Sequence, residues 1–314
     1  MQHMSLRRAP ASAPVKTNNL SRLDHVLRIG KACQPGGKPC RYVIVTMGPT
    51  GAGKSGLVKA TAEHLGLDTV PAAILVDDFV ENNIEYKRRV LEILLELYKG
   101  KTMEEFKALM MDPTPAMYAA FTKAYFEVRF SAPCVSLLSL GNCDYANDAK
   151  IKVELAKGSN IVIESKGTYD PDWVRGFVEA NAPAEYDYVM VYSHVVVNFD
   201  KLVDRNKTRA FDSALRFLQS PETMPAPRLP NVSDDESDCA KLEYRKEVKK
   251  IKRQLETILN KGSDGTDRVL VFDNNRSMSL IYDSHDMSKR DRSRVWDLID
   301  SASMQVPTVP LECQ

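Results

Sequence analysis

Arg41-Tyr-Val-Ile-Val-Thr-Met47 runs straight into Gly48-Pro-Thr-Gly-Ala-Gly-Lys-Ser55, and how this stretch is read decides the fold. The first part is apolar and β-branched, the composition of a buried strand. The second has the G-x-x-x-x-G-K-[ST] spacing of a phosphate-binding loop, and residues 56–65 continue as a helix. Gly48, Gly51 and Gly53 open backbone conformations closed to residues with side chains, so successive N–H groups turn towards a phosphate chain seated on the helix N-terminus. Lys54 brings a mobile cation to the β- and γ-phosphates, and Ser55 a hydroxyl for Mg²⁺. Gly48, Pro49, Thr50, Gly51, Ala52, Gly53, Lys54, Ser55 and Gly56 are therefore the expected cradle, with ATP and Mg²⁺ as its ligands. The competing reading is an ordinary glycine turn.

With 314 residues the chain has room for one large domain with appendages. Alternating strand and helix patterns around a single phosphate loop favour one α/β domain, a parallel sheet of about five strands flanked by helices, with a helical acceptor region and a lid insertion. The boundaries expected are an N-terminal extension over 1–37, a kinase-type domain over 38–283 with its lid and flexible insertion near 200–240, and a tail over 284–314. The extension begins Pro- and Ala-rich and without periodicity, then shows one short amphipathic helix from Leu20 to Gly30. A net charge of +1 gives no general attraction to nucleic acid or anionic membrane, leaving a local basic groove open. No apolar run is long enough to span a bilayer and no secretory core stands at the N-terminus, so a soluble cytoplasmic protein is expected. The six cysteines are scattered without a C-x-x-C pair, and free thiols are expected.

After the loop helix, residues 72–76 (AAILV) read as a second buried strand ending at Asp77-Asp78-Phe79. Working residues in open α/β sheets stand at the carboxyl ends of the strands, which aims both aspartates at the phosphate site, one as catalytic base and the other as helix cap. Residues 80–147 are mostly helical, with helices over 84–98 and about 115–130. Tyr118, Phe121, Tyr125 and Phe126 on the second are read as core rather than a platform for bases. So long an excursion between strands is where a kinase of this class holds its acceptor, and Arg129, Asp144 and Asp148 are candidates for contacts there, against a reading as surface charge.

Residues 160–163 (NIVI) form a third strand ending in Glu164, the Walker-B arrangement in which a carboxylate holds Mg²⁺ directly or through water. A fourth strand covers 187–192. The basic stretch 198–209 then places Arg205 and Arg209 one helical turn apart, as a lid does when it brings guanidinium groups over a γ-phosphate. Residues 220–239 are Pro-rich and then acidic, 242–259 form a charged helix, and 268–272 a fifth strand whose sequel Asp273-Asn-Asn-Arg276 borders the adenine.

With GPTGAGKS, Asp77-Asp78-Phe79, NIVIESKGTYD, an arginine-bearing helix after the fourth strand and VFDNNR at the fifth, the chain resembles the zeta-toxin family of P-loop kinases over roughly residues 42–276. The resemblance implies that Asp77 deprotonates an acceptor hydroxyl, with Asp78 the alternative. It places Glu164 by the metal and makes Arg205 a lid arginine, with Arg209, Arg216 or Arg228 as its second member. It also sets Asp148 on the acceptor side. Bacterial members of the family phosphorylate UDP-N-acetylglucosamine, and the family's Glu-Gly-Thr is replaced here by Glu164-Ser165-Lys166, with Thr168 nearby.

Together these readings give an ATP- and Mg²⁺-dependent phosphotransferase acting on a hydroxyl of a nucleotide sugar or other small molecule. Two rivals remain at this level. One is a polynucleotide or nucleotide 5′-kinase, supported by the basic 205–216 region and the Lys-rich 245–253 stretch, with nucleic acid as its partner. The other is a module in which ATP orders the lid for a protein partner without phosphotransfer. Neither the acceptor nor the oligomeric state is legible.

Overall fold

The computed structural model describes residues 38–131, 133–135, 140–165, 170–229, 238–261, 267–285 and 289–304. The short helix expected at 20–30 lies outside them. The strands, in chain order, are β1 (Cys40–Met47), β2 (Ala72–Ile74), β3 (Cys134–Val135), β4 (Leu140–Gly141), β5 (Ile161–Ser165), β6 (Asp187–Val196), β7 (Arg268–Asp273) and β8 (Ser279–Asp283). The main sheet has the order β2-β5-β1-β6-β7-β8, parallel except for β8, while β3 and β4 form a small separate hairpin. The expected sheet of about five strands thus gains an antiparallel sixth. Its sequence, SLIYD, is only 5 residues long, at the C-terminal limit of the domain expected over 38–283.

The helices are α1 (Lys54–His64), α2 (Val76–Glu81), α3 (Ile84–Tyr98), α4 (Met103–Met111), α5 (Pro115–Ser131), α6 (Cys143–Ala156), α7 (Pro171–Asn181), α8 (Phe199–Gln219), α9 (Asp238–Lys261) and α10 (Lys289–Met304). From β1 the chain steps one way to the edge strand β2, and afterwards always the other way, to β5, β6 and β7. Right-handed crossovers therefore put α1 on one face and α6, α7 and α9 on the opposite one. The reversal opens a crevice beyond the carboxyl end of β1, between the tips of β5 and β6, where ligands bind in open α/β sheets. Packing fixes this frame, since Val43, Ile44, Val162, Val191, Val269 and Leu270 are wholly buried. Val295 and Ile299 of α10, in the stretch read as a tail, belong to the same core.

A second core lies beside the sheet. Tyr86, Val90 and Leu94 of α3, Phe106 and Met110 of α4, Phe121 and Val128 of α5 and Phe217 of α8 are at most 1% exposed. α3 starts where Asn83 accepts from the Glu85 amide (2.9 Å), and α4 starts in a Thr102–Glu105 capping box, so this helical region has local start signals as well as an apolar stripe. The β3–β4 hairpin returns Cys134 to Cys143, with Cα atoms 4.8 Å apart, and the two are joined as a disulfide, which corrects the expectation of free thiols for this pair.

Candidate active site

At the tip of β1 the phosphate loop opens as a cradle. Gly53 takes the N-cap position of α1 with φ 94°, no side chain caps the helix, and no acid stands in its first turn. The first N–H groups and the positive end of the helix dipole are left to an anion. Gly51 has φ 85°. A Cβ there would lie 2.4 Å from Asn206 Oδ1, and one on Gly53 would lie 2.5 Å from Asn274 Nδ2. Gly48 has no positive φ, contrary to expectation; what it lacks is room, because a Cβ would come within 3.0 Å of Val195 Cγ1. Lys54 Nζ donates to the carbonyls of Gly48 (3.1 Å) and Pro49 (3.2 Å) and stands 3.1 Å from Glu164 Oε1. β-Register sets that last contact, because Thr46 is paired with Glu164 on the neighbouring strand.

The outer flank of the loop is closed by side chains from α8 and from the turn after β7. Arg205 donates to the carbonyls of Asn274 (2.9 Å) and Ala52 (3.5 Å), Asn274 Nδ2 to Ala52 O (2.9 Å), and Asn206 Nδ2 to Thr50 O (3.1 Å). Asn206 is 2% exposed, and its Oδ1 finds no hydrogen-bond partner among the described residues. Arg205 thus reaches the loop. With Arg209 and Arg216 it also lines an open groove of about 480 Å³ along the polar face of α8, where Arg209 acts electrostatically on Glu81.

β2 is shorter than expected. It stops at Ile74, extended Leu75 is the N-cap, and Asp77 and Asp78 lie in the first turn of α2, where their charge suits the helix dipole and neither serves as the cap. Asp77 Oδ1 accepts from the hydroxyl of Tyr125, and Oδ2 is 2.7 Å from Arg228 NH1. Asp78 has its carboxyl pushed above the usual range by desolvation, then by the charges of Asp77 and Glu164, with Lys150 and Arg228 opposing. Asp78 thus senses Glu164, while Asp77 is gripped from the helical side.

On the acceptor side, Arg129 of α5 makes a forked ion pair with Asp144 of α6 (2.7 Å at the shortest), so the two satisfy one another. Asp148, one turn on, is pushed up by burial and then by Asp144. Thr168 lies outside the described residues. Phe121 and Tyr125 are core, as read, whereas Phe126 is 40% exposed. Nothing local in the sequence marks Asn206, Glu81 or the Tyr125 hydroxyl as site groups; their positions follow from tertiary packing alone.

The set fits a nucleotide triphosphate with Mg²⁺. Among the described residues no cluster of three or more His, Cys, Asp or Glu could cage a metal alone. Mg²⁺ in phosphate sites instead takes one or two protein oxygens plus phosphate oxygens and water, and Ser55 and Glu164 supply that number beside the loop. No described helix is long and apolar enough to cross a membrane.

No family model and no curated protein matches the chain. Among solved structures, it is similar to one from work on the PezAT chromosomal toxin–antitoxin system of Streptococcus pneumoniae, at 13% identity and a TM-score of 0.42 over 91% of this chain and 93% of that one. It is also similar to a candidate kinase from Chloroflexus aurantiacus, at 16% identity and a TM-score of 0.29 over 62% of this chain and 85% of that one. Identities this low bear on the fold alone, and superpositions this loose add nothing to a functional reading. The order β2-β5-β1-β6-β7, with a phosphate loop joining β1 to α1, is by itself the architecture of a P-loop kinase-type fold.

Proposed function

We propose that the protein is an ATP- and Mg²⁺-dependent phosphotransferase acting on a hydroxyl of a small molecule, with a nucleotide sugar as the first candidate acceptor. One juxtaposition supports this above all. A helix N-terminus without a side-chain cap carries Lys54 beside Glu164, and Asp78 of the aspartate pair lies within electrostatic reach of that same Glu164. A switch that only binds nucleotide has no need of a base beyond the carboxylate that holds Mg²⁺.

In this reading the loop amides and Lys54 hold the β- and γ-phosphates, Lys54 exchanging the Gly48 and Pro49 carbonyls for phosphate oxygens. Ser55 and Glu164 would hold Mg²⁺, which shields phosphate charge when bound. Asp77 takes the proton of the acceptor hydroxyl as its oxygen bonds to the γ-phosphorus and the bond to the β–γ bridging oxygen breaks, releasing ADP. Arg205, already against the loop, neutralises phosphate charge, joined by Arg209 from the groove the two line. The transition state is loose and needs little covalent help, so positioning and electrostatics carry most of the rate.

Incubation with γ-labelled ATP and separate pools of nucleotide sugars, nucleosides, oligonucleotides and small metabolites tests the proposal. Label in a sugar or metabolite pool is expected. Label in oligonucleotides alone would move the assignment to a polynucleotide kinase, and slow ATP hydrolysis with no labelled pool would leave a nucleotide-gated module.

A further inference from the structure

We propose that Tyr125 and Arg228 are positioning residues for Asp77, gripping its two carboxylate oxygens from two different elements so that it meets an incoming hydroxyl already ionised and already oriented. The inference rests on the reading of Asp77 as the proton acceptor, but the grip itself is visible in the geometry.

Tyr125 comes from α5. Its hydroxyl donates to Asp77 Oδ1, its ring is 8% exposed, and edge-on contacts with Tyr86 (6.0 Å between centroids) and Phe126 (5.3 Å) fix the ring plane. Arg228 comes from the segment that follows α8, and that segment is docked rather than draped. The Ala226 amide donates to Glu81 O (2.8 Å), the Tyr86 hydroxyl donates to Pro227 O (3.0 Å), and Ala226 and Leu229 are 0% and 6% exposed. This holds the guanidinium between two acids, with Nε 2.6 Å from Glu81 Oε1 and NH1 2.7 Å from Asp77 Oδ2, and 5.5 Å above the Tyr125 ring. Burial opposes the charge on Arg228, yet Asp77 and Glu81 outweigh it and raise its pKa. Arg129 of α5, Tyr86 of α3, and Asp78 and Glu81 on its own helix also act on Asp77 electrostatically.

Donors on both oxygens favour the ionised carboxylate and restrain its rotation. A merely structural grip would pin the 220–229 segment to α2 and shift the titration of Asp77 without moving the acid limb of turnover. Tyr125→Phe separates the two roles, since it keeps the ring, the packing and the Arg228 ion pair and removes one hydroxyl.

The test is a titration of the full chain labelled with ¹³C at the aspartate carboxyls, with the Asp77 signal assigned by its absence in Asp77→Asn. Tyr125→Phe should move the Asp77 midpoint upward by about one pH unit, Arg228→Met by more, and Arg228→Lys by an intermediate amount, since a lysine keeps the charge but not the fork. The acid limb of the pH profile for ATP turnover, with water or an identified acceptor, should move the same way with the KM for ATP unchanged in Tyr125→Phe. An unmoved midpoint in folded Tyr125→Phe would overturn the inference, whatever Arg228 variants do. A shifted midpoint in a protein that transfers phosphate to nothing would uphold the grip and sink the kinase reading instead.

Discussion

The two halves of the proposed site are built differently. The phosphate end is made mostly of backbone: open amides at the start of α1, and the carbonyls of Gly48, Pro49, Thr50 and Ala52 met by Lys54, Asn206, Asn274 and Arg205. The acceptor end is made of side chains, with Asp77 held by residues from α5 and from the segment after α8. They also belong to different cores, the first to the sheet and the second to the helical cluster. A site made of backbone is spelled out in one short stretch of chain, whereas a site made of side chains exists only once distant segments have packed.

If the halves divide the work this way, substitutions should separate binding from transfer. Lys54→Ala should have the largest effect, reducing phosphate transfer by about 10³-fold and weakening nucleotide binding as well, because charge stabilisation at the phosphates is lost outright. Asp77→Asn should cost a hundredfold or more, the usual size for a general base, with nucleotide affinity near wild type by calorimetry. Equal loss of nucleotide affinity in both variants would erase the division.

Stability separates the halves in another way. His194 is fully buried on β6, bonded through Nδ1 to the Met47 carbonyl just below the loop, and burial holds its pKa down to about 4. In the unfolded chain it titrates near the ordinary value of about 6.5, so the unfolded state takes up the proton first. Its contribution is complete above that value and is lost as pH falls towards 4, by no more than about 3 kcal/mol. Urea titrations at pH 7 and pH 4.5 should show a loss in wild type that is smaller in His194→Asn. An identical loss in both would place the acid sensitivity elsewhere.

The smallest effect belongs to the helical half. Tyr86→Phe removes the hydroxyl that docks Pro227 and should lower stability by about 1 kcal/mol, measurable by denaturant unfolding, while leaving nucleotide affinity unchanged.

Legibility followed the same division. GPTGAGKS, the buried strands at 41–47, 160–163, 187–192 and 268–272 and the helices at 84–98 and 115–130 could be read because period, composition and glycine placement are local. The end of β2 was misplaced because the apolar run AAILV continues two residues past the last strand pairing, and the acids after it favour a helix start. β8 was missed for want of length. The spacing of Arg205 and Arg209 reports the helix face on which both line one groove, but not that Arg205 folds onto the carbonyls of Ala52 and Asn274. Tyr125 was assigned to the core by its aromatic character, and its ring is indeed there; the use made of its hydroxyl depends on where α2 lies, and no window of sequence around residue 125 contains that.

The central claim is that residues 48–55 hold a triphosphate whose terminal phosphorus faces the aspartates of α2. The most direct measurement is a crystal structure with a non-hydrolysable ATP analogue and Mg²⁺. The account predicts phosphates on the amides of Gly51 to Ser55, Lys54 moved from the loop carbonyls to the β- and γ-phosphates, and Asp77 or Asp78 nearest the γ-phosphorus on the side away from the leaving oxygen. A nucleotide bound elsewhere, or a γ-phosphate pointing away from both aspartates, would contradict it.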